Sequence, residues 1–342
     1  MTVKTQARIL GIETSCDETA ASVVTNGREI DSNVVASQID LHAQYGGVFP
    51  ELASREHVKA IYPIVEQALK QAHLEIQDID AIAVTRGPGL AGSLVVGVNM
   101  AKGLSLAAGK PLIGVNHMEG HIYSAWLYQA NATPHDPPQF PILALLVSGG
   151  HSELVLMKEH LKYERLGGTL DDASGEAFDK IARLLGLSYP GGPSIQKASM
   201  EGKDSAFSFP RAMLEDTWDF SFSGVKTSVL RMVESLEAEG RPLPIADLAA
   251  SFQAAVVDVL VEKTLMAADS FDVHDIVVAG GVSANKRLRE KILAESTRPV
   301  HIPPLFLCTD NAAMIAGAGF FHFAEGNFSS ADFDVLPTWP LS

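Results

Sequence analysis

Two histidines in the segment GVNHMEGHIYSAW have the spacing of metal ligands. His117 and His121 are four residues apart, in a stretch that could form a helix. At that spacing two side chains lie on one helix face, with Cβ atoms about 5–6 Å apart. The separation suits two imidazoles that bind one metal ion, but the pair can equally be two ordinary polar or core residues. Met118 stands where a metalloprotease needs Glu as general base, so that class is excluded.

Metal sites generally need a third ligand, and the sequence offers Asp310. This residue lies in Cys308-Thr-Asp-Asn311, at the predicted start of the last helix. Its carboxylate could complete the ligand set. The alternative is that Asp310 caps the helix, which is a common use of Asp before a helix.

Two glycine-containing turns follow apolar strands, at Ser148–Gly150 and at Gly280–Asn285. Because Gly has no Cβ, its backbone N–H group can point at an anion. The second turn opens a predicted helix, whose N-terminus also favours phosphate. Either turn can be needed for chain geometry alone, but their matched positions favour a nucleotide. The chain has no GxxxxGK[ST] motif, which disfavours a Walker-type enzyme.

Strands alternate with helices along the chain, which predicts α/β units with parallel pairing. The predicted strands are 7–13, 19–25, 29–38, 81–85, 112–115, 141–147, 152–157, 275–279 and 300–302. The predicted helices are 55–72, 90–108, 173–185, 245–269, 283–294 and 310–324. Both halves begin with a strand, a polar turn and a returning strand, which predicts two similar domains facing each other across a cleft.

The predicted domains are residues 1–135, completed by about 310–342, and residues 136–309, with an irregular insertion at about 188–227. In open α/β sheets ligands bind beyond the carboxyl ends of the strands. The polar segments 13–19, 148–151 and 280–285 follow strands, so we expect ligands there.

Composition limits the compartment and the partners. The chain has 342 residues, a net charge of −15, and only the cysteines Cys16 and Cys308. Two cysteines are too few for a disulfide framework, no apolar run approaches the roughly 20 residues of a membrane span, and the N-terminus lacks the features of a signal peptide. These features predict a protein of the reducing cytoplasm, without a membrane.

An acidic chain is not an obvious solitary nucleic-acid binder, and we interpret the basic cluster Asn285–Lys291 as a solvated helix face.

Nine segments, in order from about residue 9 to 319, together resemble the bacterial tRNA threonylcarbamoyltransferase (Gcp/YgjD) family. They are ILGIETSCDETAASVV, YGGVFPELASREH, RGPGL, NHMEGH, LLVSGGHSELV, DDASGEAFDKIARLLGLSYPGGP, FSFSGVKT, AGGVSAN and CTDNAAMIA. The resemblance implies the fold of actin, sugar kinases and Hsp70: two duplicated actin-like (RNase H-like) domains around a central cleft.

The resemblance also implies an activity. The threonylcarbamoyl group of threonylcarbamoyl-adenylate is transferred to the exocyclic amine of the adenosine at tRNA position 37, in tRNAs that read codons beginning with A, and AMP leaves. The implied metal is one iron or zinc ion, with the ligands His117, His121 and Asp310. The implied adenylate contacts are Val147, Ser148, Gly149, Gly150 and His151, with Asp179, Gly192 and Asn285 as further substrate contacts.

One position departs from the family pattern. Gln196 stands where many relatives carry Asp, which puts a carboxylate–ribose contact in doubt, although an amide can still bond a hydroxyl. The proton acceptor for the attacking amine is not readable from the sequence, and His151 and Glu13 are the candidates.

Two other readings stay open. The same fold and turns would serve an actin-like kinase or ATPase, but such enzymes hold Mg²⁺ largely through oxygen ligands. The chain could also be a non-catalytic scaffold subunit, although a degenerate copy should lose the metal set and the turns. The partners implied by the resemblance are tRNA, threonylcarbamoyl-adenylate, a paralogous actin-like subunit and a small P-loop ATPase, and a homodimer stays open.

Overall fold

The computed structural model describes residues 7–214 and 217–341. The chain forms two compact units: unit 1 is Met1–Pro138, His160–Lys162 and Pro303–Ser342, and unit 2 is Gln139–Glu159 and Tyr163–Ile302. Residues 1–6, 215–216 and 342, which the predicted domains include, lie outside the described residues. The domain bounds at 135 and 309 stay predictions.

Unit 1 is built on a six-stranded sheet with the order β5-β4-β1-β2-β3-β6. Its strands are β1 (Arg8–Glu13), β2 (Glu18–Thr25), β3 (Glu29–Ser37), β4 (Ala81–Gly87), β5 (Leu112–Asn116) and β6 (Tyr128–Gln129). β1 pairs antiparallel with β2 and parallel with β4, and β4 pairs parallel with β5. The carboxyl ends of β1, β4 and β5 therefore meet at one edge of the sheet.

Unit 2 contains a five-stranded sheet with the order β11-β10-β7-β8-β9. Its strands are β7 (Ile142–Val147), β8 (Ser152–Glu159), β9 (Lys162–Gly168), β10 (Asp275–Ala279) and β11 (Val300–His301). β7 pairs antiparallel with β8 and parallel with β10, as β1 does with β2 and β4. The strand order matches the first five positions of the other sheet, which confirms the duplicated α/β pattern.

Eleven helices cover the two sheets in the described parts of the chain. Unit 1 has α1 (Ile39–Ala43), α2 (Pro50–Gln71), α3 (Ala91–Ala108), α4 (His117–Tyr123), α10 (Leu305–Cys308) and α11 (Ala312–Glu325). Unit 2 has α5 (Ser174–Leu184), α6 (Gly191–Ser199), α7 (Ser223–Ala238), α8 (Ile245–Ser270) and α9 (Lys286–Glu295). Short 3-10 turns lie at Ile76–Asp78, Ser124–Trp126 and Gly281–Ala284.

The helix near the end of the chain packs directly on the first strand. A Cβ at Gly11 of β1 would lie 2.3 Å from the Ala312 carbonyl oxygen of α11, and a Cβ at Gly319 would lie 2.5 Å from the Ala83 side chain on β4. Only small residues allow a helix to approach a sheet so closely. This packing places the start of α11 beside the carboxyl ends of β1 and β4.

α2 differs from its prediction at its start and on its buried face. It begins at Pro50 rather than at residue 55, since Pro suits the first helical position. Val58, whose spacing to Ile61 and Val65 predicts a place on the buried face, is 64% exposed, and His57 is buried instead. The His57 ring stays satisfied there, because its Nδ1 lies 2.8 Å from Thr19 Oγ1 and its Nε2 lies 3.0 Å from the Cys16 carbonyl oxygen.

The predicted irregular insertion at 188–227 is wrong over part of its length, because it contains α6 and the start of α7. The α6 sequence begins Gly-Gly-Pro, which has low helix propensity, and burial of Gly191 and Ile195 stabilises the helix instead. α7 and β9 are absent from the predicted elements. α7 carries a helical signal at Val225, Val229 and Val233, all of which are buried.

One helix, α3, is long and apolar enough to cross a membrane by length and composition alone. Its residues Leu94, Val98 and Ala101 are buried in the core of unit 1. A single helix of this kind is weak evidence for a membrane, because core helices of soluble proteins pass the same test.

Candidate metal centre and substrate-binding turns

The two histidines lie on a short buried helix at the end of β5. The predicted helix is confirmed as α4, and Asn116 caps its start: the Asn116 side-chain oxygen accepts a hydrogen bond of 2.9 Å from the Met118 N–H group. The Asn116 side-chain nitrogen donates to the Trp339 carbonyl oxygen at 3.0 Å. The cap and the contact with Trp339 fix where α4 begins, and therefore where His117 lies.

Asp310 lies beside both imidazoles and does not cap the last helix. α11 begins at Ala312, and Asn311 caps it by accepting a hydrogen bond of 3.0 Å from the Met314 N–H group. Asp310 Oδ1 lies 3.2 Å from His121 Nε2 and 3.5 Å from His117 Nε2. Since Asn311 fills the capping role, the Asp310 carboxylate remains available to a ligand.

The three side chains fit a metal ion. One ligand atom from each of His117, His121 and Asp310 lies within 4.8 Å of the other two. Both ring nitrogens of His121 are buried and make no well-aligned hydrogen bond among the described residues, although Nε2 lies 3.2 Å from Asp310 Oδ1. Metal–nitrogen bonds of about 2.0–2.1 Å in a tetrahedral site imply ligand atoms about 3.3 Å apart. The distances of 3.2 and 3.5 Å from Asp310 Oδ1 to the two Nε2 atoms agree with that value, and a metal would satisfy His121 Nε2.

The charges of the cluster favour a cation. Burial lowers the pKa of His117, but the carboxylates of Asp310 and Glu13 outweigh it and raise this pKa well above its usual value. Burial raises the pKa of Asp310, but the two imidazoles hold this pKa well below its usual value. The carboxylates of Asp310 and Glu13 are therefore ionised beside the imidazoles. Their negative charge favours the binding of a divalent cation.

Glu13 contacts the ring nitrogen of His117 that does not face Asp310. This fully buried residue ends β1, and its Oε2 lies 3.0 Å from His117 Nδ1 and accepts a hydrogen bond of 2.6 Å from the Thr85 hydroxyl. Its other oxygen accepts from the Ser15 N–H group. Burial raises the pKa of Glu13, but His117 outweighs it and lowers the value. Carboxylate–histidine pairs of this kind fix the ring orientation of metal ligands.

We therefore expect Glu13→Gln to weaken metal binding about 10- to 100-fold, because it removes the charge that orients His117. Competition with a chelator of known zinc affinity measures the effect. Glu18→Gln is the matched control, since the Glu18 carboxyl accepts a hydrogen bond from the Ser37 hydroxyl rather than contacting a ligand residue, and its amide isostere should bind zinc like the wild type. Equal zinc affinity in Glu13→Gln and the wild type would contradict the orienting role.

Glu18 and Cys16 are further titratable groups near the cluster. Burial raises the pKa of Glu18 to about 9, with Asp310 and Asp17 adding to the shift. Burial and Asp17 also raise the pKa of the Cys16 thiol. Cys16 therefore stays a protonated thiol at neutral pH and has no nucleophilic thiolate.

The first glycine turn follows β7 in unit 2. The Ser148 N–H group donates to the His151 carbonyl oxygen at 2.8 Å, and the His151 N–H group donates to the Ser148 hydroxyl at 3.1 Å. Gly149 and Gly150 lie at the exposed tip. A Cβ built on either one meets no heavy atom of the described residues within 4 Å, apart from its chain neighbours. The described residues therefore do not require glycine at the tip, and the tip is open to a ligand.

The second glycine turn lies next to the first, because β10 pairs in parallel with β7. Its two glycines differ. Gly280 has φ +91°, and a Cβ there would lie 2.5 Å from the Val147 carbonyl oxygen, so the fold requires glycine at this position. A Cβ at Gly281 would enter open space among the described residues.

The other predicted substrate contacts also lie in unit 2, where several of them already have protein partners. Asp179 accepts a hydrogen bond of 2.7 Å from the Gly191 N–H group, and burial raises the Asp179 pKa. Gln196 accepts one of 2.7 Å from the Lys286 N–H group. Asn285 caps α9 through Leu288 and donates to Gln253 at 2.8 Å. Gly192 has open space beside it among the described residues.

Each predicted set lies within one unit. His117, His121 and Asp310 converge in unit 1, and both turns belong to unit 2, as do Gly192, Gln196 and Asn285. Sequence reasoning missed three supporting residues: Ser15, Thr85 and Asn116. A signal existed for Thr85, because it ends the predicted strand 81–85, and for Asn116, because Asn often precedes a helix.

The comparisons with known proteins agree with this architecture. Two solved structures share the fold at low sequence identity. HypF from T. kodakarensis has a TM-score of 0.63 and 15% identity over 95% of this chain and 49% of that chain. Component A of the (R)-2-hydroxyglutaryl-CoA dehydratase of Acidaminococcus fermentans has a TM-score of 0.52 and 15% identity over 93% of this chain and 98% of that chain. These likenesses show the fold alone, and they confirm the predicted actin-like α/β class.

Sequence relatives are much closer. The tRNA N6-adenosine threonylcarbamoyltransferase of Thermomicrobium roseum is 55% identical over 97% of this chain and 96% of its own length. The protein of the same name from Dehalococcoides mccartyi is 54% identical over 96% of this chain and 98% of its own length. The sequence profile of the TsaD family matches residues 29–317. The chain therefore belongs to the TsaD family of tRNA N6-adenosine threonylcarbamoyltransferases.

Proposed function

We propose that this protein transfers a threonylcarbamoyl group from threonylcarbamoyl-adenylate to the exocyclic amine of the adenosine at tRNA position 37, in tRNAs that read codons beginning with A. The products are threonylcarbamoyladenosine and AMP. Membership in the family supports the reaction class. The observation that carries the proposal is the convergence of His117, His121 and Asp310, in which neither buried His121 nitrogen makes a well-aligned hydrogen bond among the described residues.

The metal ligands of the proposal are His117, His121 and Asp310, and the ion is one divalent iron or zinc. When bound, such an ion supplies a Lewis acid for a carbonyl or phosphate oxygen. Three protein ligands leave coordination positions open for substrate. Because Glu13 accepts a hydrogen bond from Nδ1 of His117, it keeps the ring proton on that nitrogen. This leaves Nε2, which faces Asp310, free to bind a metal.

The adenylate is bound in the proposal by the two glycine turns of unit 2. The exposed tip Gly149–Gly150 presents backbone N–H groups to the phosphate, and Gly281 leaves room for the nucleotide. Asp179, Gly192, Gln196 and Asn285 lie in the same unit, and the hydrogen bonds of Asp179, Gln196 and Asn285 to protein groups hold them in place. Binding in a fixed geometry supplies the orientation that the reaction needs.

His151 is the stronger candidate for the proton acceptor of the attacking amine. Both oxygens of Glu13 already contact Ser15, Thr85 or His117, and the residue is fully buried. His151 is half-buried next to the exposed turn. We therefore assign Glu13 a positioning role and propose His151 as the group that accepts the proton of the attacking amine.

The kinase and scaffold readings are disfavoured. Two imidazoles and one carboxylate make a donor set for iron or zinc rather than for Mg²⁺, which prefers oxygen ligands. A scaffold subunit would have no use for three converging metal-ligating side chains together with the open glycines Gly149, Gly150 and Gly281.

The experiment combines the protein with threonylcarbamoyl-adenylate, unmodified tRNA and the proposed partners, which are a paralogous actin-like subunit and a small P-loop ATPase. The tRNA is then digested and the modified nucleoside is identified by mass. ATP and a panel of small substrates form the parallel kinase assay. Phosphoryl transfer without modified nucleoside would contradict the proposal. Gel filtration of the chain alone tests the homodimer.

We expect the isolated chain to bind tRNA weakly and with a shallow salt dependence, because its net charge is −15. The residues of the basic cluster on α9 support this expectation: Arg287 and Lys291, for example, pair with Asp204 and Asp258. Filter binding across a salt series measures affinity and slope, and adding the partner subunits should raise both. Tight, steeply salt-dependent binding by the chain alone would refute the expectation.

A further inference from the structure

We propose that Glu119 and His322 position the metal-ligand helix α4, a role that rests on the metal site proposed above. Glu119 lies between the two histidine ligands in the sequence, and its Oε2 lies 2.9 Å from Nε2 of His322 on α11. α4 supplies His117 and His121, and Asp310 directly precedes the cap of α11. The pair therefore joins the two elements that carry the whole ligand set.

Helix geometry places Glu119 behind the ligands. Successive residues of an α-helix are about 100° apart around its axis, so Glu119 lies roughly opposite His117 and His121. An attachment on that side determines how far α4 is rotated about its axis. The rotation in turn decides whether the two imidazoles point at Asp310.

α4 cannot maintain this orientation by itself. It has seven residues, and helices of that length are marginal without tertiary contacts. Gly120 packs on α11 so closely that a Cβ there would lie 2.8 Å from Ile315 Cδ1 and 3.2 Å from Met314 Cγ. That contact sets the distance between the helices, and the polar pair beside it sets the rotation.

The burial of the pair supports a positioning role. The side chains of Glu119 and His322 are 4% and 21% exposed. Removing water from a carboxylate is costly, so a buried ion pair is weak evidence for added stability, while setting a register is a well-attested use. Hydrogen bonds that involve a charged group are also shorter and roughly twice as strong as neutral ones.

The test measures zinc and iron binding to Glu119→Ala and His322→Ala by chelator competition, with the metal ions alone as probes. We expect the affinity to fall about 10- to 100-fold in both variants, as when other supporting contacts of metal ligands are removed. In the transfer assay kcat should fall while KM for the adenylate stays unchanged, because the turns of unit 2 are untouched. His322→Ala, at the more exposed partner, keeps the test available if Glu119→Ala does not fold.

The chain offers a matched control. His301 Nε2 lies 2.6 Å from Asp275 Oδ2 in unit 2, and these side chains are 19% and 3% exposed, almost as in the proposed pair. His301→Ala should lose comparable thermal stability with unchanged metal affinity. Glu119→Gln keeps an oxygen that accepts from His322, and it should retain zinc affinity within about threefold of the wild type.

Wild-type metal affinity in folded Glu119→Ala and His322→Ala would overturn the positioning role, whatever their thermal stability. The same holds if His301→Ala lowers metal affinity as much as His322→Ala does. Failure of the metal site itself has a different signature, since His117→Ala would then contain as much metal as the wild type.

Discussion

Asp310→Ala should reduce threonylcarbamoyl transfer more than about 100-fold, because direct removal of a ligand exceeds the effect of losing a supporting contact. The variant retains at most two protein ligands, His117 and His121. Elemental analysis should show loss of metal from the purified protein. Calorimetric titration with ATP should show nucleotide affinity close to that of the wild type, since the glycine turns lie in unit 2.

Asp269→Ala is the control for this substitution. Asp269 lies on α8, and its side chain is 73% exposed, so its removal should change neither metal content nor transfer. If Asp310→Ala modifies tRNA at the wild-type rate, the proposed metal-dependent mechanism is wrong. The kinase and scaffold hypotheses would then have to be tested again.

Gly149→Val and Gly281→Val should each lower adenylate affinity at least about tenfold, which corresponds to about 1.4 kcal/mol, while the protein stays folded. Neither glycine has a backbone conformation that excludes other residues, and the Cβ positions meet open space among the described residues. The added side chain therefore obstructs only a ligand. Titration calorimetry gives the affinity, and urea unfolding gives the stability.

Gly280→Ala is the contrasting substitution in the same turn. Its Cβ would contact the Val147 carbonyl oxygen at 2.5 Å with a φ of +91°, so we expect a loss of about 1–3 kcal/mol or more in the free energy of unfolding. Unchanged nucleotide affinity in both Val variants would show that the turns serve only chain geometry.

The sequence alone determined the features that depend on local spacing. The i, i+4 spacing of His117 and His121 requires only a helix to bring the imidazoles together, and α4 is such a helix. The strand–turn–strand pattern in both halves likewise predicted two similar sheets, because alternation and turn residues are local signals.

Tertiary structure decided which of several adjacent residues takes each role. Asp310 and Asn311 are both good capping residues, and only the start of α11 at Ala312 shows that Asn311 caps the helix while Asp310 faces the imidazoles. The sequence leaves Glu13 a candidate for proton transfer, and only the sheet order, with β4 beside β1 and β5 beside β4, brings Thr85 and His117 to its Oε2. Gly280 and Gly281 look alike in the sequence, and they differ because only one of them lies against a neighbouring strand end. These roles depend on contacts between residues that are far apart in the chain, and a local sequence pattern does not show such contacts.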